Sequence, residues 1–332
     1  MNNRIGVIGC GEIARLHREA LRRQNAAFCA AYDADPEALS RFCREDGSRA
    51  YPSAEALLAD AAVDTVLILT RHDSHVPLAL EALQAGKRVF LEKPLALRGE
   101  EAKPLLELPQ TLQRRLTVGY NMRHTPVMTK LRTLLEQRAV RTESFRASMT
   151  GAPFMAGWAS DPRTGGGVLV CQGSHMFDLI TDVTGSRIQS IHAVVRHVRV
   201  GAERMPDMAA LLLRLENGAV GTLLLHDQGS YAMHVEPGGG MVNLALYSRE
   251  GCYEAEAYGG LRYDDGGAVT EIEAPAVADR VRDWGYEMQM QRFLGNSDRL
   301  CTLEEAAYVL SCVDAAAQSA RSGAWVDVQG TR

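Results

Sequence analysis

Two side chains in this sequence stand where they could exchange a proton with an alcohol or a ketone. Lys93 lies in Glu92-Lys93-Pro94, and His175 closes Gly173-Ser174-His175. Removing hydride from a carbinol carbon needs a group to take the hydroxyl proton, and reducing a ketone needs the reverse. An ammonium at Lys93 could hydrogen-bond the reacting oxygen and stabilise developing alkoxide charge. An imidazole at His175 could carry a proton near neutral pH. Each has a plain reading as well: Lys93 as half of a surface Glu-Lys pair before a proline, His175 as a satisfied core or capping residue. Gly165–Gly167 would leave backbone room for a ligand near the start of the helix that carries His175. Cys171, His175 and Asp178 would share one face of that helix at i, i+4 and i+7. Asp178 then either orients the imidazole or is a polar residue on the exposed side.

A second constellation reads as a nucleotide site. Gly9-Cys10-Gly11-Glu12-Ile13-Ala14 follows the apolar run Arg4–Ile8 and opens a helical pattern. The first glycine permits a tight turn, and the second lets the backbone approach a pyrophosphate at the helix N-terminus. The small Ala14 lets the helix lie close on the strand. Glu12 and Ile13 belong to the same cofactor-binding turn. Asp33 ends the next apolar run, 22 residues after Gly11. A carboxylate there accepts hydrogen bonds from an adenosine ribose and repels a 2′-phosphate, which favours NAD over NADP. The plain alternative is a structural turn and a helix-capping Asp, a part for which Asp35 is the better candidate. Thr70, Arg71 and His72 follow a further apolar run and are expected to wrap the cofactor, with His75 opening the next helix on the same side. A His72/His75 metal pair has no third ligand in view, so no metal is expected. Asn121 and Arg123 fall at the crossover between domains, where polar groups could meet nicotinamide or substrate. Trp158 and Arg163 suit sugar stacking and hydroxyl or phosphate binding, although a loop Trp is as often simple packing.

The elements that must position these residues come in two textures. From residue 4 to about 120, apolar runs (Ile5–Ile8, Phe28–Tyr32, Thr65–Leu69, Arg88–Leu91, Leu116–Val118) alternate with amphipathic helical patterns. That alternation predicts a doubly wound parallel sheet with crossover helices, covered on both faces. After about Thr142, strands follow one another: Ile188–Val200, Met208–Leu215, Ala219–Leu225, Val242–Tyr247, Tyr253–Ala257 and Ala268–Ile272. Asn217-Gly218 predicts a type I′ hairpin. Helical pattern returns at Val281–Leu294 and Leu303–Ala320, and Pro237–Gly240 reads as a loop tip. Together these predict an α+β domain on an open, mostly antiparallel sheet, with domains at 1–120 and 121–332.

Composition narrows the class. The 332 residues are 46% hydrophobic and 23% charged with 12 prolines, which describes an ordered globular chain. Thirty-six Lys and Arg against 41 acidic residues give a net charge of −5, which offers nucleic acid or an anionic membrane little to attract. The longest apolar run, Ala26–Tyr32, falls far short of the ~20 residues that span a bilayer. No signal-peptide pattern precedes the first strand. Seven cysteines without a CxxC pair suit a reducing cytoplasm. No GxSxG, HExxH or Walker pattern supports a hydrolase or ATPase. Alternating strands could leave a flat sheet that pairs with a second subunit, so a homo-oligomer through the C-terminal sheet is expected.

In their order and spacing these signatures resemble the glucose–fructose oxidoreductase, inositol dehydrogenase and rhizopine-catabolism (Gfo/Idh/MocA) family. The likeness is carried by Gly9–Ala14 with His17, Thr70-Arg71-His72-Asp73-Ser74-His75, Glu92-Lys93-Pro94, Tyr120-Asn121-Met122-Arg123, and Gly165–Gly167 running to His175 and Asp178. The resemblance implies a Rossmann domain, an open α/β substrate domain, and an NAD(P)-dependent reaction on sugars, cyclitols or their nucleotide-linked forms. It assigns Lys93 to the substrate and Glu92 to a ribose contact. It breaks at position 171, where many relatives carry an Asp and this chain carries Cys171 followed by Gln172, both on the substrate side. A thiol with a pKa of ~8.5 is a poor substitute for a carboxylate in holding an imidazolium. The expectation is an NAD-dependent dehydrogenase or ketoreductase of a sugar-like molecule. Two rivals remain: a glycosidase or lyase that oxidises and re-reduces with retained NAD, and a non-catalytic sensor of NAD and sugar.

Overall fold

Apolar runs buried on both sides become the central strands of a parallel sheet. A computed structural model describes residues 4–151, 157–198, 205–227, 241–264, 266–274, 284–297 and 299–330. The chain divides into two units, Met1–Tyr120 with Tyr286–Ala307, and Asn121–Gly285 with Tyr308–Arg332. A cut into 1–120 and 121–332 therefore misses one return of the chain.

In the first unit, strands β1 (Ile5–Ile8), β2 (Phe28–Tyr32), β3 (Arg49–Ala50), β4 (Thr65–Ile68), β5 (Arg88–Glu92) and β6 (Leu116–Gly119) line up in the order β6-β5-β4-β1-β2-β3. Every pairing among them is parallel. β1 and β4 are buried along their whole length, as a doubly covered sheet requires. The strand order reverses between β1 and β4, and α/β sheets place ligands outside the carboxyl ends of strands at such a reversal. The turn after β1, Asp33 after β2, Thr70 after β4 and Lys93 after β5 thus share one edge. The returning segment adds the two-residue strand Cys301–Thr302 antiparallel to β6 and lays helix Tyr286–Leu294 on helix Glu12–Arg23. Residues 281–283, the start of the predicted helix, lie outside the described residues.

The second unit is a nine-stranded sheet. Its strands are β7 (Ser144–Thr150), β8 (Ile188–Arg196), β9 (Met208–Leu215), β10 (Val220–His226), β11 (Val242–Tyr247), β12 (Cys252–Glu256), β13 (Gly260–Asp264), β14 (Val269–Glu273) and the short Val326–Asp327. They run in the order β14-β13-β12-β11-β7-β10-β9-β8, ending at Val326–Asp327. β7 and β10 pair parallel, and every other pairing is antiparallel. Burial alternates along β9: Leu211, Leu213 and Leu215 point into the core, while Ala210, Leu212 and Arg214 point out. Helices Pro126–Gln137 and Ser174–Thr184 pack on one another and on strands of this sheet.

The hairpin between β9 and β10 forms, but not as a type I′ turn. Asn217 is not among the residues with positive φ, whereas Gly218 has φ +90°. Gly218 N–H donates to Leu215 O at 3.0 Å, and Leu215 and Ala219 bond across the base. The extra left-handed residue makes this a three-residue hairpin loop, with the glycine one position later than a two-residue loop would place it. Pro237–Gly240 lies outside the described residues.

Candidate functional site

Gly9 makes the turn after β1 with φ +98°, and its N–H donates to Tyr32 O at 2.9 Å. A Cβ there would stand 2.6 Å from Leu69 O, so only glycine lets β1, β2 and β4 converge here. Gly11 caps helix Glu12–Arg23 with extended backbone and no side-chain cap, and nothing lies within 4 Å of where its Cβ would be. Free N–H groups and open space at a helix N-terminus fit a pyrophosphate. Glu12 is exposed and pairs with Arg15, Ile13 is half-buried, and Ala14 is buried against the sheet. Cys10 between the glycines is buried, and burial, followed by the nearby Asp33 charge, pushes its thiol up to about 12.

Asp33 is half-buried and fastens this turn: Oδ2 accepts from Cys10 N–H at 2.6 Å, and Oδ1 from Asp35 N–H at 2.8 Å. Asp35 is the plain cap, accepting from Glu37 N–H at the start of helix Pro36–Asp46. After β4, Thr70 accepts from Ser74 Oγ, Arg71 is exposed and paired with Asp73, and His72 is buried.

Lys93 follows β5 and is half-buried, and its peptide bond to Pro94 is cis. Its Nζ makes no hydrogen bond or ion pair with the described residues. Its neighbours differ from the sequence reading. Glu92 is 5% exposed, and both its oxygens are engaged, one by His17 Nε2 at 2.9 Å and the other by Lys93 N–H at 2.9 Å. Each oxygen keeps a lone pair, and it is burial that sets this carboxylate apart from an open ribose contact. His75 does not face outward as a cofactor contact would. It is fully buried, with Nδ1 2.6 Å from Pro94 O and Nε2 3.1 Å from Thr70 O, and presents no polar atom to a ligand. Burial lowers its pKa.

In the second unit His175 is 6% exposed in helix Ser174–Thr184. The turn before it, Leu169–Gly173, is π-helical. Cys171 and His175 therefore do not have the α-helical i, i+4 relation that the sequence suggested, because a π turn holds more residues than 3.6. Cys171 is half-buried, and Gln172 is buried, its Nε2 2.2 Å from where a Cβ on Gly151 would stand. Nor does the glycine run open space for a ligand. A Cβ on Gly165 would meet Ala159 at 2.2 Å, on Gly166 Val170 at 2.4 Å, and on Gly167 Met205 at 2.7 Å. These glycines admit protein.

Asp178 is not a polar residue on an exposed side. It is 1% exposed and receives both Nε and Nη2 of Arg123, itself buried. Arg132 and Asp182 extend the network at 2.6 Å. Arg123 thus holds a helix, and a substrate contact does not suit a guanidinium occupied in this way. Asn121 is buried and donates from Nδ2 to Trp284 O at 2.7 Å. Trp158 is 42% exposed, and Arg163, exposed, is paired with Asp161 two residues earlier. His17 and Arg132 were missed as site supports, because their partners lie 75 and 50 residues away. Among the described residues, no group of three or more His, Cys, Asp or Glu could hold a metal ion, and no helix is long and apolar enough to cross a membrane.

The chain is similar in sequence and in fold to known oxidoreductases. The chain is 28% identical over 229 residues to myo-inositol 2-dehydrogenase of Thermotoga maritima, covering 66% of this chain and 67% of that one. It is 31% identical to UDP-N-acetylglucosamine 3-dehydrogenase of Acidithiobacillus ferrooxidans, over 66% of each chain. Levoglucosan dehydrogenase, solved in complex with NADH, superposes over 99% of this chain and 100% of its own with a TM-score of 0.87 at 19% identity, a likeness of fold. Residues 3–120 match the family model described as "Oxidoreductase family, NAD-binding Rossmann fold", and residues 130–236 match the GFO/IDH/MocA C-terminal domain. With both domains present in order, the chain belongs to the Gfo/Idh/MocA family of NAD-binding oxidoreductases.

Proposed function

We propose that this protein moves hydride between a nicotinamide and a secondary alcohol or ketone of a sugar, a cyclitol or a nucleotide-linked sugar. One observation carries the reading. Lys93 stands at the carboxyl edge of the parallel sheet, on the same edge as the Gly9–Gly11 turn, with its ammonium unengaged by the described residues. Relatives named for inositol and UDP-sugar oxidation support the substrate class. Bound at the turn, a nicotinamide dinucleotide would supply hydride exchange at a carbon.

The chain's own part is binding and proton handling. Gly9, Gly11, Glu12 and Ile13 seat the dinucleotide, and Thr70, Arg71, His72 and Asn121 border it. Lys93 Nζ donates to the reacting oxygen, and His175 takes the hydroxyl proton in oxidation and returns it in reduction. Trp158, with its exposed ring, stacks on the sugar, and Gln172 and Cys171 also contact it. Asp33 sets the cofactor: each carboxylate oxygen accepts one backbone N–H, which leaves each a lone pair for a ribose hydroxyl, and the charge repels a 2′-phosphate. We also propose a homo-oligomer through the outer face of the second sheet. The register brings Val194, Ala210 and Leu224 into one row there, with exposed Leu212 beside it.

A screen of free and nucleotide-linked sugars and cyclitols, followed by NADH absorbance, tests the activity. Turnover with NAD exceeding that with NADP is the expected result. Glycan cleavage without net NADH would replace this reading with the retained-cofactor one, and binding without consumption would replace it with a sensor. Sedimentation of a plain monomer would remove the oligomer.

A further inference from the structure

The backbone on both sides of Lys93 is held by a buried imidazole. On one side His17, from helix Glu12–Arg23, bonds Glu92, and Glu92 in turn accepts the Lys93 N–H. The His17 ring stands edge-on to Phe90 and Tyr286 at 5.1 Å from each, so its orientation is fixed by packing. On the other side His75, the first residue of helix His75–Gln84, bonds Pro94 O and reaches Thr70 O behind it. Both histidines are fully buried. Two helices, both earlier in the chain than β5, thus fasten residues 92 and 94 and leave 93 between them.

We infer that His17 and His75 are positioning residues for Lys93: by holding Glu92 and Pro94 they fix the point from which its ammonium projects. The inference rests on the proposed contact of Lys93 with the reacting oxygen. A lysine is a point charge on a flexible four-carbon stem. With no ion pair to steer Nζ among the described residues, its placement depends on the backbone beneath it. Active groups need to be held within ~0.5 Å, and a displacement of ~1 Å can cost on the order of 10²-fold in rate. Holding the flanking residues serves that need more directly than it serves the core, since a buried Glu92 could be replaced by an apolar residue without loss of packing.

Amide isosteres test this. A Gln amide nitrogen falls near where a histidine carries Nε2, and an Asn amide nitrogen near Nδ1. His17→Gln and His75→Asn therefore keep the donor, whereas His17→Leu and His75→Leu remove it. Each Leu variant should lower kcat at least about tenfold, with dinucleotide affinity changed less than about threefold, and the matched amide should recover most of the loss. Should a Leu variant fail to fold, the exchanged amides His17→Asn and His75→Gln, which keep polarity but misplace the donor, should show the same loss.

A second readout is independent of turnover. The sequence has four lysines, Lys87, Lys93, Lys103 and Lys130. Reductive ¹³C-methylation, with Lys93→Arg for assignment, gives Lys93 its own NMR signal. That signal should shift and broaden in the donor-deleted variants, return in the matched amides, and leave Lys103 and Lys130 unmoved. Donor-deleted variants that keep kcat within about twofold, or lose it with the Lys93 signal in place, would overturn the inference. If Lys93→Met itself retains turnover, the assignment of Lys93 falls instead, while the NMR signal still reports whether the histidines hold it.

Discussion

The surroundings of Lys93 and of His175 are built from opposite materials. Around Lys93, neutral-capable imidazoles and a carboxylate grip the backbone of one loop, through contacts that reach 75 residues along the chain. Around His175, two full ion pairs, Arg123–Asp178 and Arg132–Asp182, grip a helix through its side chains. A loop has no internal hydrogen-bond ladder, so its shape must be imposed by groups that reach its peptide atoms. A helix already has its ladder and needs only to be tied to its neighbours. The difference teaches that residues in a family signature divide into those that can meet a ligand and those that hold them, and that the division follows from local backbone structure.

The largest expected effect sharpens the chemical side of that comparison. If His175 moves the proton, His175→Ala should lower kcat by roughly 10²–10⁴, the usual contribution of a positioned acid or base. Cys171→Ala should cost less than about tenfold, since a neutral thiol is a weak hydrogen-bonding group. Steady-state kinetics on both variants decides this. Equal damage from the two would mean that the thiol takes part in the chemistry and that the proton has been assigned to the wrong group.

Next in size is a prediction about the helix. Asp178→Asn removes one charge of a buried, bidentate pair, and breaking such a pair typically costs about 3–5 kcal/mol. Denaturant unfolding should show a loss of that order. At a temperature where the variant remains folded, its pH–rate profile should keep the position of the wild-type one. A profile displaced along the pH axis with stability unchanged would make Asp178 the partner that orients His175, and would erase the contrast drawn between the two regions.

How much of this was legible beforehand follows from the range of each signal. Ile5–Ile8, Phe28–Tyr32, Met208–Leu215 and Val242–Tyr247 are strands whose bounds match the apolar runs, because burial of consecutive or alternate residues is written locally. β7, Ser144-Phe-Arg-Ala-Ser-Met-Thr150, carries the same alternation, with Phe145, Ala147 and Met149 buried, and was legible although the sequence reading passed over it. β3 and Cys301–Thr302 are too short to carry a pattern. Gly9 and the place of Lys93 could be read, since a turn after a strand is a local event. The partners of Glu92 and Asp178 could not, because only the folded topology brings His17 and Arg123 to them. The π turn was illegible for a third reason: spacing arguments assume 3.6 residues per turn, and the sequence Leu169-Val-Cys-Gln-Gly173 does not announce otherwise.

The smallest expected effect concerns His75 and acid. Its two ring nitrogens both face carbonyl oxygens, so a ring with one proton satisfies only one of them, and the 2.6 Å contact to Pro94 O is the better placed. Burial is the largest influence on its pKa and lowers it; the two carbonyls and Glu92 oppose that, and Lys93 adds to it. The His72 ring lies 5.7 Å away. A histidine whose folded pKa is depressed stays neutral in the native state while the unfolded chain takes up a proton near pH ~6.5. The unfolded state then binds more protons, so this contribution to stability is present above pH ~6.5 and is lost as pH falls toward the folded pKa. The slope from one such group is at most ~1.4 kcal/mol per pH unit. Unfolding free energies measured from pH 7.5 to 5.5 should fall less steeply in His75→Asn than in the wild type, by no more than that limit. An unchanged slope would mean that His75 titrates alike in both states, its two carbonyls then cancelling burial, and a steeper fall in the variant would mean that the clamp on Pro94 is an imidazolium.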